Sequence, residues 1–172
     1  MLGSQLIRRL GALSRSLFKM LRNMWGSSTQ KNSSDVQHNE ELTSYVFRKD
    51  QIVRVTNSIH YSRLMPRRKH KNERLEVSLC RSNELTESQV WNICSIHFDA
   101  HAPEPAIGRG IGTASSVFAE NLAFDPDGKP YPQHANIIGW RDEADKPDNE
   151  LKHFWIDQAQ RMAVNFKYNP RR

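Results

Sequence analysis

An α+β fold is predicted by a change of hydrophobic period along the chain. Residues 75–81, Leu75-Glu76-Val77-Ser78-Leu79-Cys80-Arg81, alternate apolar and polar side chains as a half-buried strand does. Residues 86–98 and 147–166 instead repeat apolar side chains at the spacing of a helix face. Strands and helices succeed one another irregularly, which predicts a small mixed sheet with two main helices rather than a doubly wound sheet.

At 172 residues the chain suits one domain. Four Trp, seven Phe and four Tyr supply core material that disordered chains lack. The two cysteines, Cys80 and Cys94, form no CxxC pair. This pattern predicts a reducing, cytoplasmic setting rather than a disulfide framework. No apolar run has the length needed to cross a bilayer, so no transmembrane segment is expected.

Residues 1–25 read as a separate amphipathic, cationic helix. Leu2, Leu6, Leu10, Leu13, Leu17, Leu21 and Met24 recur at helical spacing, with Arg8, Arg15, Lys19 and Arg22 on or beside the other face. Gly26 follows as a helix stop. Three roles fit this pattern: an anchor on an anionic membrane surface, an organellar transit peptide, or a helix that docks on a protein partner. Residues 26–44 read as a polar linker, and 45–172 as a single α+β domain.

The formal net charge of +6 belongs to the N-terminal segment. Residues 1–34 hold six basic and no acidic side chains, leaving 25 − 6 = 19 basic against 19 acidic in the remainder. A basic isoelectric point therefore does not make the domain a nucleic-acid binder.

Within the domain, 45–47 and 51–56 read as extended, and 65–74 as a basic loop. Together with the strand at 75–81 they predict a hairpin or meander. Thr86 and Gln89 form a capping box at the start of a helix whose buried face carries Val90, Ile93, Cys94, His97 and Phe98. Pro103 and Pro105 end it. Residues 106–124 predict a short helix feeding a strand, and Asp125-Pro126-Asp127-Gly128 a turn. Residues 134–140 predict another strand. Pro147 starts the last helix, with Leu151, Phe154, Trp155, Met162 and Phe166 along one side.

Candidate site residues fall in three places. His134 and Asn136 alternate with Ala135 and Ile137, so both project from one strand face, where His134 can act as general acid or base. Arg63, Arg67, Arg68, Lys69, Lys71 and Arg81 are candidate anion binders. His97 and His101 have the spacing of half a metal site, but the sequence offers no complete ligand set, so no metal or other cofactor is expected. Gly108-Arg109-Gly110-Ile111-Gly112 resembles a phosphate loop only in its glycines, because the Lys is missing.

The leading expectation is a non-enzymatic binding or accessory protein that recognises a protein partner or an anionic surface, the surface contact running through Leu6, Arg8, Leu10, Leu13, Arg15, Leu17, Lys19 and Leu21. One alternative is an enzyme acting on a phosphate-containing substrate, RNA or a nucleotide, with His134 as acid or base. Another is a nucleic-acid-binding module that uses the basic loop 63–74 and the tail.

Overall fold

The computed structural model describes residues 35–68, 74–143 and 146–172. The N-terminal helix assigned to residues 1–25, residues 26–34 of the linker, Lys69 and Lys71 lie outside the described residues.

Strand alternation and two amphipathic helices produce an α+β architecture built on one eight-stranded sheet. Its strands are β1 (Glu41–Val46), β2 (Ile52–Val53), β3 (Ser58–Ile59), β4 (Val77–Arg81), β5 (Gly108–Thr113), β6 (Ala123–Asp125), β7 (His134–Ile138) and β8 (Lys167–Pro170). They lie in the order β2-β3-β8-β5-β1-β4-β7-β6, and neighbouring strands pair antiparallel throughout. The helices are α1 (Glu87–His97), α2 (Ala114–Phe118) and α3 (Asp148–Ala163). None of the described helices is long and apolar enough to cross a membrane.

The two faces of the sheet carry separate apolar layers. Leu42, Val46, Leu79 and Ile137 pack with Val117 of α2 and with Leu151, Trp155, Ala159 and Met162 of α3. Tyr45 and Cys80, which alternate with those residues along β1 and β4, pack instead with Val90, Ile93 and Cys94 of α1. The α1 capping box forms in full, Thr86 Oγ1 accepting from the Gln89 N–H and Gln89 Oε1 accepting from the Thr86 N–H. Pro147 stands at the α3 N-cap, and Asp148 and Glu150 in the first turn suit its positive end.

Three sequence expectations differ from the fold. β4 does not form a hairpin with 51–56; β2 pairs with β3, while β4 pairs with β1 and β7. β4 lies inside the sheet between β1 and β7, with Val77 and Leu79 buried on one side and, on the other, Cys80 buried and Ser78 exposed. The basic loop is closed separately, by paired backbone hydrogen bonds of 3.0 and 3.1 Å between Arg67 and Glu76.

β1 also begins at Glu41, inside the span that reads as linker. Thr43 and Ser44 disguise it, because they are polar yet almost fully buried. Thr43 is satisfied within the sheet by Ser82 at 3.0 Å and Arg109 at 2.9 Å.

The third difference is the glycine-rich run, which forms the inner strand β5 ahead of the short helix and strand expected within 106–124. Gly108, Gly110 and Gly112 alternate with Arg109, Ile111 and Thr113, so one face of β5 has no side chains. Neighbours fill that space. A Cβ at Gly110 would overlap Ile59, and one at Gly112 would sit 2.6 Å from the Phe166 ring; at Gly108 the obstacle is the Tyr168 ring. Close approach of these three side chains seats β3 and β8 against the sheet centre.

Gly110→Ala is therefore expected to lower unfolding stability by about 1–3 kcal/mol, the usual cost of overpacking. Urea denaturation checks this, and a midpoint equal to that of the parent chain would contradict it.

Candidate functional site

The candidate site is built on β7, because strand alternation sends His134 and Asn136 to the face that carries α1. Their cross-strand partners on β4 are Cys80 and Ser78. The segment between β6 and β7 turns through Gly128, whose φ of 62° lies in the left-handed region that glycine favours. That turn brings Asp127 back over β7. Asp127 Oδ1 then lies 2.5 Å from His134 Nδ1, and Asn136 Nδ2 donates to Asp127 Oδ2 at 3.3 Å. Ser78 Oγ donates to Asn136 Oδ1 at 3.0 Å, completing a chain of four side chains.

Burial is confined to the two residues on β7. His134 is 4% exposed and Asn136 is 1% exposed, so their hydrogen bonds replace water rather than compete with it. The Tyr131 ring stands edge-on to His134 at 5.4 Å between centroids and meets His97 at 4.9 Å. A carboxylate oxygen on Nδ1 requires the proton of a neutral imidazole to sit on Nδ1, which makes Nε2 the acceptor nitrogen. Nε2 has no hydrogen-bond partner among the described residues and is not sealed from water.

Neighbouring groups that could act as nucleophiles are quiet. Burial pushes the Cys80 thiol up to about 12, with Tyr45 and Arg109 opposing only in part. Burial likewise pushes Cys94 up to about 12, reinforced by Asp99. Both cysteines remain neutral thiols near pH 7.

The candidate arginines do not gather at His134. Arg81 follows Cys80 on β4, so its side chain leaves from the opposite face; there it meets Glu40 at 2.5 Å. Arg68 is held by Asp142 at 2.5 Å and Asp148 at 3.2 Å. Arg67 is exposed on its backbone bridge to Glu76, and Arg63 lies over the Phe47 ring, 5.5 Å from its centroid. Arg74, in the same basic segment, pairs with Asp125. No hydrogen bond joins any of these to His134 or Asn136.

His97 and His101 are not on one continuous helix. α1 ends at His97, Phe98 leaves helical geometry at φ −123° and ψ −54°, and His101 belongs to a separate 3-10 turn, Asp99–His101. Asp99, between them, accepts from the Ala106 N–H at 2.8 Å and pairs with Arg171 at 2.9 Å. No three metal-ligating side chains come together among the described residues.

Two features escape sequence reasoning. Asp127 reads as a turn residue, and nothing in its spacing reveals that it returns to β7. Arg109 reads as part of a glycine-rich run, yet it is 6% exposed and donates to Thr43 at 2.9 Å and Glu87 at 2.6 Å. The alternation Gly-Arg-Gly-Ile-Gly was the available signal for it. Beyond Arg109, at the end of β1 and β5, a polar cleft of about 540 Å³ is lined by Asn39, Glu41, Asn83, Thr113, Ser115 and Asn165 among others. Its lining holds amides, hydroxyls and one carboxylate, and no His, Cys, Lys or Arg.

The fold and these features define an α+β protein whose polar groups are braced inside an antiparallel sheet. No protein-family model, curated protein or solved structure matches the chain.

His134→Ala is expected to cost about 1–3 kcal/mol, because it cuts the buried link between the 126–133 segment and β7. Guanidinium denaturation measures this, and a loss below about 0.5 kcal/mol would mean that the link is not structural.

Proposed function

We propose that this chain is a non-enzymatic binding protein whose α+β body recognises a protein partner while the basic N-terminal segment carries it to an anionic surface. The observation that carries the reading is the separation of the parts a phosphate-transfer or hydrolytic site would need. His134 is tied into an internal brace, and Arg81 and Arg68 are tied to carboxylates away from it. The cleft supports recognition rather than turnover, since its lining has hydrogen-bonding groups but no base near neutral pH.

The charge distribution supports the surface role. The excess positive charge lies in residues 1–34, where no acidic side chain opposes it. A basic residue held at an anionic membrane contributes about 1 kcal/mol. Leu6, Leu10, Leu13, Leu17 and Leu21 add apolar contact at helical spacing.

Vesicle co-sedimentation tests this with the full chain and with a variant carrying R8Q, R15Q, K19Q and R22Q. Vesicles of phosphatidylcholine with phosphatidylserine should retain the parent chain at low salt and release it as salt rises. The variant should partition about a thousandfold less, as expected from the loss of four contributions of about 1 kcal/mol each. Equal retention of both chains, or equal binding to pure phosphatidylcholine, would contradict the proposal.

A further inference from the structure

Unengaged polar groups gather in the cleft at the end of β1 and β5. Its floor follows from strand pairing. Glu41 lies opposite Thr113 and Thr43 opposite Ile111, so Glu41, Thr113 and Ile111 share the side of the sheet that carries α1. Three connecting segments each add an asparagine: Asn39 before β1, Asn83 after β4 and Asn165 between α3 and β8. The hydroxyl groups are occupied among themselves, Thr113 Oγ1 lying 2.7 Å from Ser115 Oγ and Ser116 Oγ donating to the Thr113 carbonyl at 2.7 Å. The amides are not. Asn39 and Asn83 make no side-chain hydrogen bond among the described residues. Asn165 Nδ2 donates to the Arg161 carbonyl at 3.2 Å, which leaves its Oδ1 as an acceptor.

Glu41 is held from behind. Ser82 Oγ donates to its Oε1 at 2.8 Å, and the Arg109 guanidinium lies 3.7 Å from the same oxygen. Both supports are buried and tied to the sheet. The Ser82 and Thr43 hydroxyls are 3.0 Å apart, and Arg109 donates to Thr43 at 2.9 Å and to Glu87 at 2.6 Å. Glu87 in turn accepts from Trp91 Nε1 at 2.6 Å. The Glu41 carboxylate therefore keeps one orientation, and Arg109 offsets part of its charge. Its Oε2 has no partner among the described residues.

We infer that this cleft binds a neutral sugar, as a free monosaccharide or as one residue of a glycan. Its volume of about 540 Å³ lies in the range of small-molecule sites. No Lys, Arg or His lines it, so an anion meets no counter-charge there. Ile111 is the one large apolar side chain of the lining, too little for a hydrocarbon but enough for the C–H face of a sugar ring. The amides of Asn39 and Asn83 both donate and accept, while Glu41 Oε2 and Asn165 Oδ1 accept. Hydroxyl groups, which also donate and accept, match that mixture. An ammonium group would leave the amide N–H groups unused, and Arg109 weakens the pull of Glu41 on it. The inference rests on the cleft as a recognition surface and is independent of the N-terminal segment, so the vesicle experiment can succeed where the sugar experiment fails.

Side-chain amide NMR signals of the full chain labelled with ¹⁵N-asparagine provide the test, with Asn39→Ala and Asn83→Ala assigning the two signals. Glucose, galactose, mannose and N-acetylglucosamine are added in turn, each as the free sugar and as its methyl glycosides. At least one should shift both signals saturably with a common Kd. Glu41→Gln, which keeps an acceptor for Ser82, should weaken that binding about tenfold, the value of one hydrogen bond to a charged group. Because Asn39 and Asn83 are exposed, N39A and N83A keep the test valid even if E41Q fails to fold; each should weaken binding too. Binding of the free sugar alone identifies a monosaccharide, and equal or tighter binding of a glycoside identifies a glycan residue. Signals that no sugar shifts, or that glycerol shifts equally at the same hydroxyl concentration, would overturn the site. Saturation by ethylammonium chloride but by no sugar would overturn it in favour of a cation.

Discussion

The fold depends on the bare face of β5. A strand inside an eight-stranded sheet normally presents a side chain to each layer, but three alternating glycines leave one face of β5 open to Tyr168, Ile59 and Phe166. Phe166 and Ile59 are among the most completely buried side chains of the protein. They come from the two ends of the body, β3 near its start and the residues after α3 near its close. Their packing on β5 therefore brings distant chain segments together, and α3 reaches its place over Leu42, Val46 and Leu79 by the same closure.

With the sheet closed, its opposite face becomes the place for polar groups. Thr43, Ser78, His134, Asn136 and Arg109 all leave from strands on the side that carries α1. The buried polar groups there are linked in pairs and chains: Asp127 joins His134 to Asn136, and Glu87 and Thr43 hold the terminal nitrogens of Arg109 while its Nε is buried without a partner. Such networks stabilise when fully satisfied and are costly when broken. They brace the sheet, and this is the reason for reading the chain as a binding protein in preference to a catalyst.

Much of the architecture was legible in the sequence because it rests on local rules. The capping box at Thr86 and Gln89, the start of α3 at Pro147 and the strand faces of His134 and Asn136 follow from short spacings. What remained hidden depends on distant partners. β1 looks like linker because Thr43 and Ser44 are polar, and only Arg109 and Ser82, far along the chain, make Thr43 fit for burial. The glycines of β5 look like a loop until Phe166, Ile59 and Tyr168 are seen to fill the space above them. Asp127 looks like a turn residue until the chain returns it to His134. The N-terminal helix lies outside the described residues, and the structure neither adds to nor alters its reading.

A double-mutant cycle between Gly110 and Ile59 tests the central packing most directly. Each single change, Gly110→Ala or Ile59→Ala, should destabilise the fold, one by overpacking and the other by opening a cavity. In the double variant the added methyl group enters the space left by Ile59. The account predicts that its loss falls short of the sum of the single losses by about 1 kcal/mol or more in urea denaturation. Additive losses would show that the two side chains do not compete for the same volume, and the closure of the sheet on β5 would need another cause.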